Sequence, residues 1–436
     1  MYLYFKVLFN KLSLKDFFSI RTGKKILNLK YNSHQIFLEK LYIDLEKSYE
    51  IYDTKYLNYF LFKHIDTNLF LSQFFSKDFN SFRFTKVILI SLARNKKICL
   101  PIPPFWFNIF EKKGLKLSKI GCYSLFLLQG LFKILVCCKI IINLIIYFIS
   151  NFIMKKKNYD NMLFNLTLNN FSFDKSYKDF SLYSEFINKK IIKKDSVNLI
   201  YYKNSNLQKK IQQNIKKRDL NIQFSNFDFP FTISALNLFL LMIITFLIFF
   251  ISLINIFRNK VEFINFSEEI LKYYILKLSN IKYLPKNIYF NNSSWKYKPL
   301  WTYIAEKKGI NIVVYFYSLS ELEYKNNFDY KILQGHNSLC WNNYFSWNKE
   351  HSNYLKQISK VTPKIIEKKP FSLRDSDPSI LNNFDFSNTI AIFDAAPYKK
   401  IFSDTFAMYS SEYRCYENVL SFLRDIDYLS NKYNLK

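Results

Sequence analysis

Glycine is scarce in this sequence, with six in 436 residues, and proline is modest at ten. No Gly-rich phosphate loop and no Gly/Ser linker can be found among them. Histidine is scarcer still. His34, His64, His336 and His351 stand without metal-ligand spacing. None of the six cysteines forms a C-x-x-C pair, and three lie in one apolar run, which reads as free thiols in a reducing compartment. No Ser-His-Asp arrangement is visible. Acidic residues are also few, 34 against 63 Lys and Arg, leaving a formal charge of +29. That balance favours nucleic acid or anionic lipid as a partner. The basic residues are dispersed, however, and no zinc finger, RNP-type motif or helix-turn-helix accompanies the densest runs, at Lys189 to Lys194 and Lys209 to Arg218. The expected partners are therefore membrane lipids, and no nucleic acid.

What the sequence has in quantity is apolar and aromatic surface, including 47 Phe and 33 Tyr. Phe231 to Phe257 contains no charge, and a helix of about 20 residues already crosses a bilayer core. This reads as a membrane helix. Ile120 to Phe132 and Ile140 to Met154 are also apolar, but Lys133 and Lys139 interrupt them. A charge at mid-bilayer is costly, so two interfacial helices or a re-entrant hairpin are expected there. Basic residues flank both segments on both sides, which removes any inside-outside asymmetry and favours monotopic attachment over spanning. The N-terminus lacks an uninterrupted signal-peptide core, so the soluble parts are expected to face the cytoplasm.

The remaining sequence reads as α/β. Residues 1 to about 80 carry helical periodicity, and Lys86 to Ser91 reads as a strand. Leu100 to Pro104 is a rigid turn before a helix. Farther on, Asn287 to Phe290 is a short strand and Asn311 to Tyr317 a second, apolar one. Between them Pro299 opens a helix and Gly309 ends it. Strand, helix, strand is a βαβ unit with parallel strands. Further strands are expected at Tyr344 to Trp347 and Thr389 to Phe393, with an amphipathic helix from about Tyr416 to Asn434.

The stretch NIYFNNSSWKYKPLWTYIAEKKGINIVVYFYS, 287 to 318, resembles bacterial surface-polysaccharide biosynthesis proteins of the PFTS-motif family. LPIPPFWFNIFEKKG, NYFSWNKEHSNYL and TIAIFDAAPYKK are similar to the same family in the same order. The resemblance implies a glycosyltransferase-like protein with two Rossmann-like domains of the GT-B type. Its acceptor-side domain would start at 86–118 and continue at 258–385, after a helical region at 1–85. An interrupted membrane-associated segment at 119–154, a basic α/β insert at 155–229 and a membrane helix at 230–257 would lie between. Residues 386–436 would be the start of a donor-side domain that is truncated, since the family's naming tetrad is not found there. Pro230 to Ile233 is a near match in the wrong place. A chain of this kind is expected to be inactive alone. A sugar nucleotide would be its co-substrate, with no other cofactor, and a lipid-linked or polysaccharide acceptor its partner. The alternative is a non-catalytic membrane or organellar subunit with a basic lipid- or partner-binding surface.

Open α/β sheets bind ligands beyond the carboxyl ends of their strands, beside helix N-termini. Asn291, Asn292, Ser293 and Ser294 occupy that position, and their amides and hydroxyls suit a sugar or phosphate; helix capping would need the same residues. Trp295 and Trp301 offer stacking faces or core packing. Glu306 reads as a surface or helix-fixing residue. Asp394, after a buried strand, is a candidate base or a turn former. His336 and His351 are weak candidates for a catalytic base.

Overall fold

The computed structural model describes mainly residues 65–79, 97–153, 159–164, 186–193, 233–291, 297–316, 339–368 and 416–433, with short pieces at 40–48, 198–201, 222–225 and 325–330 and single residues elsewhere. Within these the chain forms two compact units. One comprises Met1–Asp44, Ser81–Tyr123 and Arg374–Lys436; the other, Leu45–Asn80 and Ser124–Leu373. Helices are α1 (Thr67–Phe79), α2 (Phe107–Lys112), α3 (Lys119–Ile153), α4 (Ala235–Phe257), α5 (Glu262–Leu278), α6 (Leu300–Lys307), α7 (Lys349–Ile358) and α8 (Tyr416–Tyr433). Strands are β1 (Asn161–Leu163), β2 (Asn198–Tyr201), β3 (Ile222–Ser225), β4 (Asn287–Asn291), β5 (Asn311–Tyr315), β6 (Lys325–Asn326), β7 (Asp329–Tyr330), β8 (Asn343–Ser346) and β9 (Lys364–Glu367).

The larger unit is built on a seven-stranded sheet of order β3-β2-β1-β4-β5-β8-β9. Every pairing in it is parallel. The expected βαβ unit is β4-α6-β5. Pro299, in extended conformation, is the N-cap of α6, and Gly309 follows the helix at φ +83, a conformation costly for any residue with a Cβ. The stretch 155–229 supplies β1 to β3 and so forms nearly half of this sheet. Register is pinned by a ladder of asparagine amides at the strand starts. Asn287 Nδ2 donates to Asn161 Oδ1 at 3.0 Å, Asn311 Nδ2 to Asn287 Oδ1 at 3.1 Å and Asn343 Nδ2 to Asn311 Oδ1 at 3.4 Å. Slipping a strand by one residue would break this chain and turn its apolar side chains to the opposite face.

Helix α5 is the hub of the unit. Nearly its whole circumference is buried, including Phe263, Ile264, Phe266, Ile270, Leu271 and Ile275. Phe266 meets Phe74 and Phe75 at ring separations of 4.7 and 5.3 Å, which docks α1. Burying each such ring is worth roughly 2–3 kcal/mol. Lys308 Nζ closes the C-terminus of α5, donating to the carbonyls of Leu276, Lys277 and Ser279 at 2.7 to 2.9 Å. Helix α4 lies back along α5 after a short turn. Its Leu238, Leu241, Ile248, Ser252 and Asn255 are buried, and Asn237 Nδ2 donates to Leu278 O at 2.8 Å.

Residues 119–153 correct the expected interruption, because α3 is one continuous helix of 35 residues. Lys133 does not break it. Its ammonium donates to Glu268 of α5, whose other oxygen accepts from Lys272 at 2.6 Å. A neighbouring carboxylate supplies what the apolar run lacks. Gly130 lets α3 approach closely there, since a Cβ at that position would collide with the Ile264 side chain. The expected strand at Lys86 to Ser91 is also corrected: Ile88 and Ser91 are helical and buried. A short apolar run does not by itself distinguish a buried helix from a strand.

In the smaller unit, Ile98 bridges Leu117, and a 3-10 turn at Pro104–Trp106 leads into α2. Trp106 and Phe110 are buried, and Lys113 pairs with Asp44 at 2.7 Å. Helix α8 has the expected amphipathic pattern, with Phe422, Leu423, Tyr428 and Leu429 exposed.

Candidate functional site

The strand order reverses between β1 and β4: from β1 the chain runs outward to β2 and β3, then returns to β4 and proceeds the other way. Such a reversal leaves a crevice beyond the carboxyl ends of the two strands. Asn291 is the last residue of β4, paired with Tyr315, so it stands at this edge. Asn292, Ser293, Ser294 and Trp295 lie outside the described residues, as do His336, Tyr317, Ser318 and Asp394 with its strand Thr389 to Phe393. Trp301 is core: it packs with Phe164 and Phe290 at 5.7 and 5.8 Å. His351 is fully buried near the start of α7. Its Nδ1 accepts from the Trp347 amide at 3.2 Å, and its ring stands edge-on to Phe316.

At the crevice the N-terminus of α6 carries an internal anion. Glu269, from α5 and nearly fully buried, accepts from the Leu300 amide through Oε2 at 3.0 Å and from the Tyr297 hydroxyl through Oε1 at 3.0 Å. A carboxylate here satisfies the positive end of the helix, which is where a phosphate would otherwise gain most.

A second group of polar side chains surrounds a cavity of about 590 Å³ between α1, α5, α6 and the segment before β8. Lys298 is its centre. Its side chain is 2% exposed, and Nζ donates to Glu306 Oε2 at 2.7 Å while lying 4.4 Å from the Tyr303 ring centroid. Glu306, in the last turn of α6, thus ties back to the residue just before the helix N-cap. Gln73 of α1 accepts from the Lys298 amide at 3.1 Å and donates to Cys340 Sγ at 2.8 Å. Asp66, Tyr273, Lys307 and Asn342 complete the polar lining. Burial pushes the Glu306 carboxyl above the ordinary range, against the pull of Lys298. Burial likewise raises the Cys340 thiol and the Tyr303 hydroxyl. Ile65, Leu69, Ile304 and Val361 make up the apolar part of the wall. Among the described residues no group of three or more His, Cys, Asp or Glu is placed to hold a metal.

Sequence reasoning missed this cluster, apart from the helix-fixing role read for Glu306. Its members come from stretches more than 200 residues apart, such as Gln73 and Cys340. One signal was available: a lysine immediately before a helix-opening proline, with a glutamate in that helix's last turn.

Two helices, α3 and α4, are long and apolar enough to cross a membrane. No curated protein and no solved structure matches the chain. The stretches at 287–318, 343–355 and 389–400 all fall within the one segment that a family description covers. Residues 249–435, from the second half of α4 through the βαβ unit to α8, match the family model of polysaccharide biosynthesis PFTS motif proteins.

Proposed function

We propose that this protein acts in surface-polysaccharide biosynthesis as a membrane-attached, glycosyltransferase-like protein with a Rossmann-like, GT-B-type acceptor domain. One observation carries the reading. The segment matching the polysaccharide biosynthesis family contains the half-sheet β4-β5-β8-β9, and this joins β1 at the strand-order reversal of a parallel sheet. The acceptor, lipid-linked or polysaccharide, would meet Asn291 to Ser294 and Trp295 at the end of β4. Attachment through α3 and α4, with the sheet on the cytoplasmic side, would raise the acceptor's local concentration. The co-substrate would be a sugar nucleotide. The test is binding of the glycolipids of a bacterial extract by the full chain in detergent. Binding that falls at least tenfold in Asn292→Ala with Ser293→Ala supports the reading. Acceptor binding that is absent, or unchanged in that variant, sinks it, and transfer from labelled uridine, guanosine or cytidine sugar nucleotides would overturn the expectation that the chain is inactive alone.

A second reading, a non-catalytic membrane subunit with a basic lipid- or partner-binding surface, is favoured by the Glu269 contact. A carboxylate already fills the N-terminus of α6, where a phosphate of the acceptor would otherwise bind. If neither glycolipid acceptor nor sugar nucleotide binds while deletion of the gene still alters the surface glycan, this second reading holds.

A further inference from the structure

Both long apolar helices are tied to a charged helix that belongs to the α/β unit. Helix α4 packs along α5 from Asn237, bonded to Leu278 O, to Asn255, whose carbonyl accepts from the Lys260 amide at 2.8 Å. Helix α3 is held to α5 by the close approach of Gly130 to Ile264 and by the Lys133–Glu268 pair. Helix α5 carries Glu262, Glu268, Glu269 and Lys272, and it contacts α6 through the Glu269–Leu300 bond. If α4 crossed a bilayer, α5 would be drawn into hydrocarbon with these charges, and α6 with it. That arrangement is strongly disfavoured.

The opposite faces of the two helices are bare. Leu236, Phe239, Phe246 and Phe250 of α4 are exposed, as are Leu131, Phe132, Leu135 and Ile142 of α3. Neither helix contains an Asp or Glu, and their sequence neighbours are basic: Lys155 to Lys157 after α3, Arg258 and Lys260 after α4. Exposed Lys139 interrupts the apolar face of α3. A second copy on this surface would set like charges against each other. An anionic leaflet would complement them.

We infer that α3 and α4 lie in the plane of the membrane, their outer faces sunk into one anionic leaflet and α5 remaining in the protein. The inference rests on the membrane attachment proposed above and specifies its geometry. It differs measurably from spanning. An in-plane helix sits about 5–10 Å into the headgroup–acyl boundary along its whole length. A spanning α4 would carry Phe246 to the bilayer centre, about 15 Å deep.

The experiment places single spin labels at Phe239→Cys, Phe246→Cys and Phe250→Cys in the full chain, with Cys138→Ser and Cys415→Ser. The protein is reconstituted with vesicles of phosphatidylglycerol and phosphatidylcholine. Label depth is read from collision with oxygen and with a water-soluble nickel chelate. One shallow depth at all three positions is expected, with attachment weaker at least tenfold in pure phosphatidylcholine. A profile that reaches the bilayer centre at Phe246→Cys overturns the in-plane geometry while leaving attachment intact. Labels open to the nickel chelate throughout overturn attachment itself. Spin–spin broadening with no lipid contact assigns the face to a second copy. Far-UV circular dichroism of each labelled variant, matched to the parent, ensures that folded protein is being read. None of these results depends on sugar transfer, so the glycosyltransferase reading stands or falls separately.

Discussion

Helices α3 and α4 are both long, apolar and packed on α5, yet they are fastened by different means. Helix α4 uses a stripe of Leu238, Leu241 and Ile248, and its polar residues look after themselves: Ser252 Oγ donates to Ile248 O at 2.6 Å, and Asn255 Nδ2 to Ile251 O at 2.9 Å. Helix α3 uses a charge, and its lysine at 133 is matched by a glutamate 135 positions later in the chain. The contrast teaches that a charge inside an apolar run reports on the neighbour as much as on the segment. An interrupted hydrophobic stretch need not be an interrupted helix.

The largest break in the comparison should come from Glu268→Gln. Two largely buried ammonium groups, Lys133 and Lys272, would then lose the carboxylate that they share. Removing one partner of a buried pair costs about 3–5 kcal/mol. The lower end is expected, because the Lys133 side chain is 27% exposed. Unfolding in detergent, followed by circular dichroism, gives the loss. The pH dependence has a definite sign. Burial alone would raise the Glu268 carboxyl, but Lys272 and Lys133 outweigh it and hold it well below the usual carboxylate range. Its contribution is therefore complete above the unfolded-state value, near 4.5, and is lost as pH falls through the depressed folded value. In the Gln variant that acid-induced component should be missing.

On α4 the matching change is Leu241→Ala. Leu241 is fully buried, so the expected loss is about 2–5 kcal/mol, from transfer and from the cavity left behind. Phe246→Ala, on the exposed face of the same helix, should change stability in detergent by no more than about 0.5 kcal/mol. Equal effects would mean that α4 is not fastened by one stripe. Gly130→Ala comes next, at about 1–3 kcal/mol, because the added methyl meets the stiff, buried Ile264. Combining it with Ile264→Val should recover part of that loss.

The sequence made one side of the sheet legible and hid the other. Strands β4, β5 and β8 could be read because each is a run such as Asn311–Tyr315 bounded by a proline, a glycine or a polar turn. Strands β1, β2 and β3 are three or four residues long and lie among lysines and asparagines, too short for any period to emerge. Asparagine itself misleads here. It is ordinarily a turn former, yet Asn161, Asn287, Asn311 and Asn343 bond across strands. The edge of the candidate site was legible where a strand ends at Asn291 and a proline opens a helix. The Glu269 carboxylate at that helix was not, because it arrives from α5 and no local pattern announces it. His351 is a weak base candidate by sequence, but its α7 neighbours Tyr354, Leu355 and Ile358 are buried with it. The 3.6-residue period of that short helix places the histidine on its inner face.

The smallest expected effect sharpens the comparison most, because it sets two lysines of one helix against each other. Lys133 and Lys139 interrupt the same apolar run and are alike as sequence features. The fold separates them: Lys133 reaches Glu268 on α5, whereas Lys139 is exposed. Lys133→Met should cost about 1.5 kcal/mol, the lower end for a charge-assisted bond, since Glu268 keeps Lys272 at 2.6 Å. Lys139→Met removes a solvated charge and adds an apolar side chain to a face that is already apolar. Its stability in detergent should stay within about 0.5 kcal/mol of the parent. The two variants, unfolded side by side in the same micelles, give the difference directly. A loss for Lys139→Met as large as that for Lys133→Met would mean that both lysines are anchored, and the contrast between a fastened face and a bare face of α3 would be gone.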